Sequence, residues 1–238
     1  MQPGLIGGIG LTHLTVYDQR PAPDGLQCGC AHVHAVTDEA YFVLSGSGAI
    51  ELHDLDNGFR SVPLAAGNFV QFAPGTVHRS VNNSGLTVLA IMGNAGLAER
   101  GDARIWFGPD VDADPERYQQ LWRLPAAAGL GGALDRRDHS VSAYMELLRL
   151  WERDREAYRA ELKRFVGVHA RAMEPLRERF QDVVSLGPQK WLQSALARIE
   201  RLPSSTGSPD AVLVAPETGE PKLGMCGLLR PMDLFAQV

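Results

Sequence analysis

Cysteine is scarce: Cys28, Cys30 and Cys226 are the three in 238 residues. That number and their uneven spacing exclude a disulfide framework and fit a reducing compartment. A long apolar run is also missing, and Met1-Gln-Pro-Gly has no basic region leading into an apolar segment. The sequence therefore offers neither a membrane-spanning helix nor a secretion signal, and a cytoplasmic protein is expected. Positive charge is not in excess, since 23 Lys and Arg face 28 Asp and Glu for a net charge of −5. Clustered, uncompensated cations are what phosphate binding needs, so no nucleic-acid partner is expected. The glycines of Gly4–Gly10 follow no strand and lack the G-x-G-x-x-G spacing, so a flexible lead-in is expected there in place of a dinucleotide loop. What remains, 45% hydrophobic and 21% charged residues, is the composition of an ordinary globular chain with ample length for a core.

The chemistry-bearing stretch is Cys28 to Gly46. His32 and His34 are two residues apart, so on an extended strand both imidazoles project from one face and can converge on an ion. Glu39 follows after four residues at the head of a second strand, Ala40–Leu44. His78, in Pro74-Gly75-Thr76-Val77-His78, supplies a fourth donor.

These residues resemble the two motifs of the cupin superfamily. The first, His-x-His, four residues, Glu, six residues, Gly, is met at His32, His34, Glu39 and Gly46; the second is met at Gly67, Gly75, His78 and Asn82. Two positions depart: the second motif's proline falls on Ala73 with Pro74 beside it, and the glycine that opens the first falls on Leu26 beside Gly25. Neither carries a metal-binding atom. The resemblance covers about residues 10–95 and implies a jelly-roll barrel, a double-stranded β-helix, with His32, His34, Glu39 and His78 as metal ligands and Asn82 as a structural residue.

In chain order, Leu11–Tyr17 alternates as a first strand and ends in a turn at Pro21–Gly25. Short strands at Ala49–His53, Asn68–Phe72 and Leu86–Met92 are separated by turn chemistry at Ser45–Gly48, Asp54–Gly58, Ala65–Gly67, Pro74–Gly75 and Asn82–Gly85. A last strand lies around Gly101–Gly108. If His32 and His34 point inward, parity turns Cys30, Cys28 and Leu26 inward as well, and on the Glu39 strand Tyr41 and Val43. Arg79 or Gln71 could hold a substrate carboxylate if turned inward, but Arg79, next to His78, should face away.

After residue 110 the pattern becomes helical. Asp114-Pro115-Glu116 starts a helix to Leu124, followed by a glycine-rich link at Ala126–Gly132. Apolar residues then recur at steps of three and four: Val141, Tyr144, Leu148, Trp151, Tyr158, Leu162, Phe165, His169, Met173, Leu176, Phe180 and Val183. The stripe breaks at Arg155, and Gly167 or Pro175 should split it. A weaker helix, Gln189–Leu202, precedes a linker at Pro203–Pro209, and Ala211–Ala215 is a candidate strand returning to a sheet edge. The expected organisation is mostly β with an α-helical C-terminal extension: a barrel over 1–110, helices over 111–202 acting as lid, packing layer or dimer contact, and a tail over 203–238.

Three imidazoles and a carboxylate suit one divalent transition metal, iron first, with manganese, nickel, cobalt, copper or zinc compatible. Tyr41 is the candidate proton donor. The expected function is a metal-dependent enzyme on a small anionic or enolic molecule, a dioxygenase or oxidase as the resemblance implies. Non-redox isomerisation, lysis or cyclisation of a sugar or carbonyl compound, and a metal- or ligand-binding sensor or storage module, stay open beside it. Homodimerisation is expected.

Overall fold

A computed structural model of the chain describes residues 5–202 and 213–232. Its strands are β1 (Gly10–Val16), β2 (Gln27–Cys28), β3 (His32–His34), β4 (Glu39–Asp54), β5 (Gly58–Ala65), β6 (Phe69–Phe72), β7 (Val77–Met92), β8 (Ala103–Ile105), β9 (Lys222–Leu223) and β10 (Gly227–Pro231). All pair antiparallel in the order β5-β4-β7-β1-β10-β9, with β2 and β3 against β7, β6 against β4, and β8 against β3. This large antiparallel sheet followed by a helical region is the expected jelly roll with its C-terminal extension.

The turns expected at Ser45–Gly48 and Asn82–Gly85 are bends inside two continuous strands of 16 residues each. The pairing of β4 with β7 shifts register three times between Val43 and Gly48. A Cβ on Gly46, whose φ is 74°, would lie 2.2 Å from the carbonyl oxygen of Gly85. Glycine is needed at that approach, and it lets the two strands pass together from one side of the barrel to the other. Asn82 secures the bend, its amide donating to Val16 O and its carbonyl accepting from Leu86 N. The shifts also exchange the faces of β4: Tyr41 and Val43 are inward before the bend, Ile50 and Leu52 after it. Glu51 and His53 thereby turn toward the helices.

The helices are α1 (Pro109–Asp112), α2 (Pro115–Trp122), α3 (Gly129–Arg153), α4 (Arg155–Met173), α5 (Arg177–Leu186) and α6 (Pro188–Glu200). Asp114 caps α2 as expected, accepting from Glu116 N and Arg117 N. The link expected at Ala126–Gly132 is instead a 3-10 turn, Ala126–Ala128, running into the first turn of α3. The long stripe splits at Asp154, whose side chain caps α4 by accepting from Glu156 N and Ala157 N, and again at the 3-10 turn Glu174–Leu176 around Pro175. Gly167 stays inside α4, since a single glycine costs a helix only about 1 kcal/mol.

The stripe covers the barrel. Tyr144, Leu147, Tyr158, Leu162 and Phe165 pack on Ala31, Val33, Val77 and Trp106, all nearly without exposure. Each such side chain contributes about 1.5–3 kcal/mol by leaving water.

The linker at Pro203–Pro209 lies outside the described residues. So do Ala211 and Val212 of the strand expected at Ala211–Ala215, and Leu213–Ala215 carry no strand. The strand that returns is β10, paired with β1 from Thr12 opposite Pro231 to Val16 opposite Gly227. Gly227 permits this, because a Cβ there would sit 2.0 Å from Thr15 O. No helix among the described residues is long and apolar enough to cross a membrane.

Candidate metal centre

β3 carries His32 and His34, the first residue of β4 is Glu39, and the second residue of β7 is His78, directly opposite His32 in the ladder. One donor atom from each of the four lies within 4.8 Å of the others. Exposure is 1% for His32, 4% for His34, 5% for Glu39 and 1% for His78. Glu39 Oε2 is 3.1 Å from His78 Nε2 and 3.4 Å from His34 Nε2.

The rings are turned so that one nitrogen faces the cluster and the other faces an acceptor. Nδ1 of His32 lies 3.1 Å from Cys30 O, and Nδ1 of His78 lies 3.1 Å from Thr76 O. Each acceptor is two residues back on the same chain segment, which selects the Nδ1–H tautomer and leaves Nε2 with its lone pair inward. His34 differs, its Nδ1 facing the Asp102 carboxylate at 3.5 Å.

Electrostatics favour the binding forms of His32 and Glu39 and oppose that of His34. Burial, then the neighbouring His78 and His34, holds His32 far below the usual imidazole value, so it stays neutral. Burial alone would raise Glu39, but His78, His34 and His32 outweigh it and bring its carboxyl down to about 2. Burial would likewise lower His34, and the Asp102 and Glu39 carboxylates reverse that. Glu39 Oε2 and His78 Nε2 nevertheless have no hydrogen-bond partner, because their 3.1 Å approach lacks hydrogen-bond geometry. Leaving buried polar atoms unpaired costs about 1–3 kcal/mol each. A convergent set of imidazole and carboxylate donors with unpartnered atoms fits a divalent transition metal, whose identity the donor set leaves open.

Tyr41 sits two residues beyond Glu39 on the inward face of β4, without exposure. Its hydroxyl is 3.8 Å from Cys226 Sγ, and burial, followed by Cys226 and Glu39, holds its proton far above the usual phenol range. Tyr41 is therefore a hydrogen-bond donor and not a base at neutral pH.

The thiols expected here are not the ones found. Cys28 packs with Ala22, Val81 and Val141 beside Arg79, and Cys30 packs with Ile105, Phe107 and Tyr118. Parity fails because Gly29–Ala31 separates β2 from β3, so alternation does not carry through. Burial pushes Cys28 up to about 12 and Cys30 up to about 11, so both stay protonated. The thiol beside the cluster is Cys226, with Sγ 3.7 Å from His32 Nε2. No spacing rule links residue 226 to residue 32; Gly29, where a Cβ would meet Cys226 Cα at 2.5 Å, admits it.

Arg79 faces away from the cluster, bonded to Glu51 and Asp24. Gln71 is exposed on β6 and does not reach the site. His13 lies on β1 between Leu89 and Arg230, away from the ligands. Asp102 is the second residue at the cluster that sequence patterns did not mark. Two cavities, about 660 Å³ between Ala35–Val36 and α4–α5 and about 440 Å³ between α3 and α4, are not lined by the four ligand residues.

No curated protein matches the chain. Among solved structures, a putative sugar phosphate isomerase from Acidithiobacillus ferrooxidans is 26% identical over 36% of this chain and 49% of that one, with a TM-score of 0.28. A predicted oxalate decarboxylase from Thermotoga maritima is 27% identical over 31% and 58%, with a TM-score of 0.25. A cupin protein from Bacteroides fragilis is 23% identical over 37% and 68%, with a TM-score of 0.28. This chain thus spans about half the length of the first, and TM-scores this low carry no inference about activity. The family model described as a cupin domain matches residues 19–92, the segment that holds all four clustered donors, and this part of the chain is accordingly a cupin domain.

Proposed function

We propose that His32, His34, Glu39 and His78 hold one divalent transition metal, iron first, and that the protein is a metal-dependent oxidoreductase, a dioxygenase or oxidase of a small anionic or enolic molecule. The observation that carries the reading is the pair of unpartnered buried atoms, Glu39 Oε2 and His78 Nε2, converging with His34 and the neutral ring of His32. When bound, such a metal supplies a Lewis-acidic centre and, if redox-active, an electron relay between substrate and O₂. Glu39, ionised in the fold, offsets one of its positive charges. The Tyr41 hydroxyl keeps its proton and donates a hydrogen bond to a substrate oxygen, while Val43, Leu52 and Phe72 exclude water. Non-redox isomerase, lyase or cyclase chemistry on a carbonyl compound is the second reading. A protonated Tyr41 favours it as an acid, though Glu39 at about 2 is a poor base.

Metal analysis of protein purified without chelator, with O₂ consumption measured over a panel of keto acids, enols and dicarboxylates, tests the proposal. Iron with O₂ uptake is expected. Zinc or manganese with O₂-independent turnover transfers the case to the second reading, and metal-free, inactive protein sinks both.

A second copy of the chain is the proposed macromolecular partner. Phe69 (58% exposed) and Phe42 (39%) are cross-strand neighbours, Leu44 is 42% exposed, and the row runs on through Leu89 to His13 before meeting Arg230. A row of side chains that holds no carboxylate and reaches Arg230 only at its edge can meet its own copy with little like-charge repulsion. Sedimentation should give a dimer that the double substitution Phe42→Glu/Phe69→Glu converts to monomer; wild-type monomer at micromolar concentration overturns it.

A further inference from the structure

We infer that the helical extension sets the geometry of the metal centre through a contact chain, His169 to Asp102 to His34, in which Asp102 is the positioning residue of His34. This rests on the ligand assignment proposed above. His32 and His78 are each oriented by a carbonyl two residues back, so their ring positions come with their own strands. His34 has no such carbonyl. Its Nδ1 lacks a partner at hydrogen-bond distance among the described residues, and the anion it faces is Asp102 Oδ2 at 3.5 Å.

Asp102 does more than face that ring. Without exposure of its own, it accepts from Ala35 N at 3.0 Å, Val36 N at 2.8 Å and Thr37 N at 3.0 Å. Those three amides belong to the loop that joins His34 to Glu39. One carboxylate therefore organises the spacing between two of the four donors as well as the tilt of one of them. A buried carboxylate is costly unless several donors surround it, so the loop and the ring are held to Asp102 by the same requirement.

What holds Asp102 lies in the extension. Its backbone carbonyl accepts from Nε2 of His169, 2.9 Å away on α4, and from Ala35 N at 3.1 Å. His169 is 1% exposed, and burial pushes its pKa down to about 4, so it is a neutral Nε2–H donor with Nδ1 left over. Helix α4 thus docks on the metal-binding loop by a hydrogen bond as well as by its apolar stripe. The helical layer acquires a role toward the site that neither a lid nor a passenger would have.

Outer partners of metal-bound histidine typically set affinity by 10–100-fold. In Asp102→Asn, manganese or cobalt affinity measured by competition should fall by about that range. In His169→Leu it should fall by less, with an altered electron paramagnetic resonance spectrum of the cobalt-loaded protein. His169→Gln, which keeps a donor, should restore the wild-type spectrum; a residue that merely fills space would not show that rescue. Because Asp102→Asn also perturbs three loop amides, ¹⁵N shifts of the imidazoles in metal-free protein at pH 8.5 supply an independent readout: His34 should be Nδ1–H in wild type and mixed in Asp102→Asn. A wild-type Nε2–H tautomer, or unchanged affinity and spectra in Asp102→Asn and His169→Leu alike, overturns the inference. Wild-type protein that takes up no metal overturns the ligand assignment, while the tautomer still decides the Asp102 contact.

Discussion

His53 and the group of His32, His34 and His78 are buried to the same degree, yet they are opposite kinds of site. His53 has no exposure, and both of its ring nitrogens are partnered, Nε2 by Tyr144 Oη at 2.5 Å and Nδ1 by Tyr158 Oη at 2.8 Å. Tyr144 donates onward to Glu51, which also receives Arg79. No buried side-chain polar atom of that cluster is left without a partner, and the network pins α3 and α4 to β4. Around His34 and His78 the inward atoms converge without closing a hydrogen-bond network. Burial of a histidine therefore does not mark a functional site; unpartnered buried atoms on ligand-type groups that converge within 4.8 Å of one another do.

The sharpest way to break this contrast is to remove one residue from each side. His32→Ala, His34→Ala and His78→Ala should each lower metal affinity by at least about 100-fold, more than outer-shell changes do. The metal-dependent stabilisation, about 4 kcal/mol at a thousandfold excess over Kd, should disappear with it. His53→Phe should leave metal uptake intact and cost roughly 2–5 kcal/mol in urea unfolding, since two buried hydroxyls lose their partner. Unchanged metal content in all three alanine variants, or metal loss in His53→Phe, collapses the distinction.

A smaller effect should appear on acidification. Burial, then Arg79, pushes the folded pKa of His53 down to about 3, and His169 lies at about 4 through burial. The unfolded chain titrates near 6.5 and takes up protons that the fold excludes, so stability is complete above that value and declines below it. His53 alone should remove up to about 1.4 kcal/mol per pH unit between 6.5 and 4. His34, raised in the fold, works in the opposite sense. Urea midpoints measured across that interval should fall steeply for wild type and less steeply for His53→Phe; parallel slopes would mean that His53 is not held neutral.

The four-donor cluster was legible because its evidence is local. His32 and His34 share a strand face by alternation alone, and the family spacing then carries Glu39 and His78. The amphipathic stripe was legible for the same reason, down to His169 on its buried side, and so were its breaks: the pattern falters at Arg155, beside the capping Asp154, and of the two residues offered next Pro175, which lacks an N–H, interrupts the helix while Gly167 does not. Turn chemistry misled at Gly46 and Gly85, where glycine serves a close approach between two continuous strands.

By itself the amino-acid sequence determined the four converging donors, the barrel strands that hold them and the apolar stripe that covers the barrel, because periodicity decides which side of its own element a residue occupies. Only the tertiary structure decided that Cys226 and not Cys28 or Cys30 stands beside His32, that Asp102 faces His34, and that His53 is closed between Tyr144 and Tyr158. Those neighbours are brought together by strand register and helix docking across 68 (residue 34 to residue 102) to 194 positions of chain, and no local pattern encodes a contact of that range.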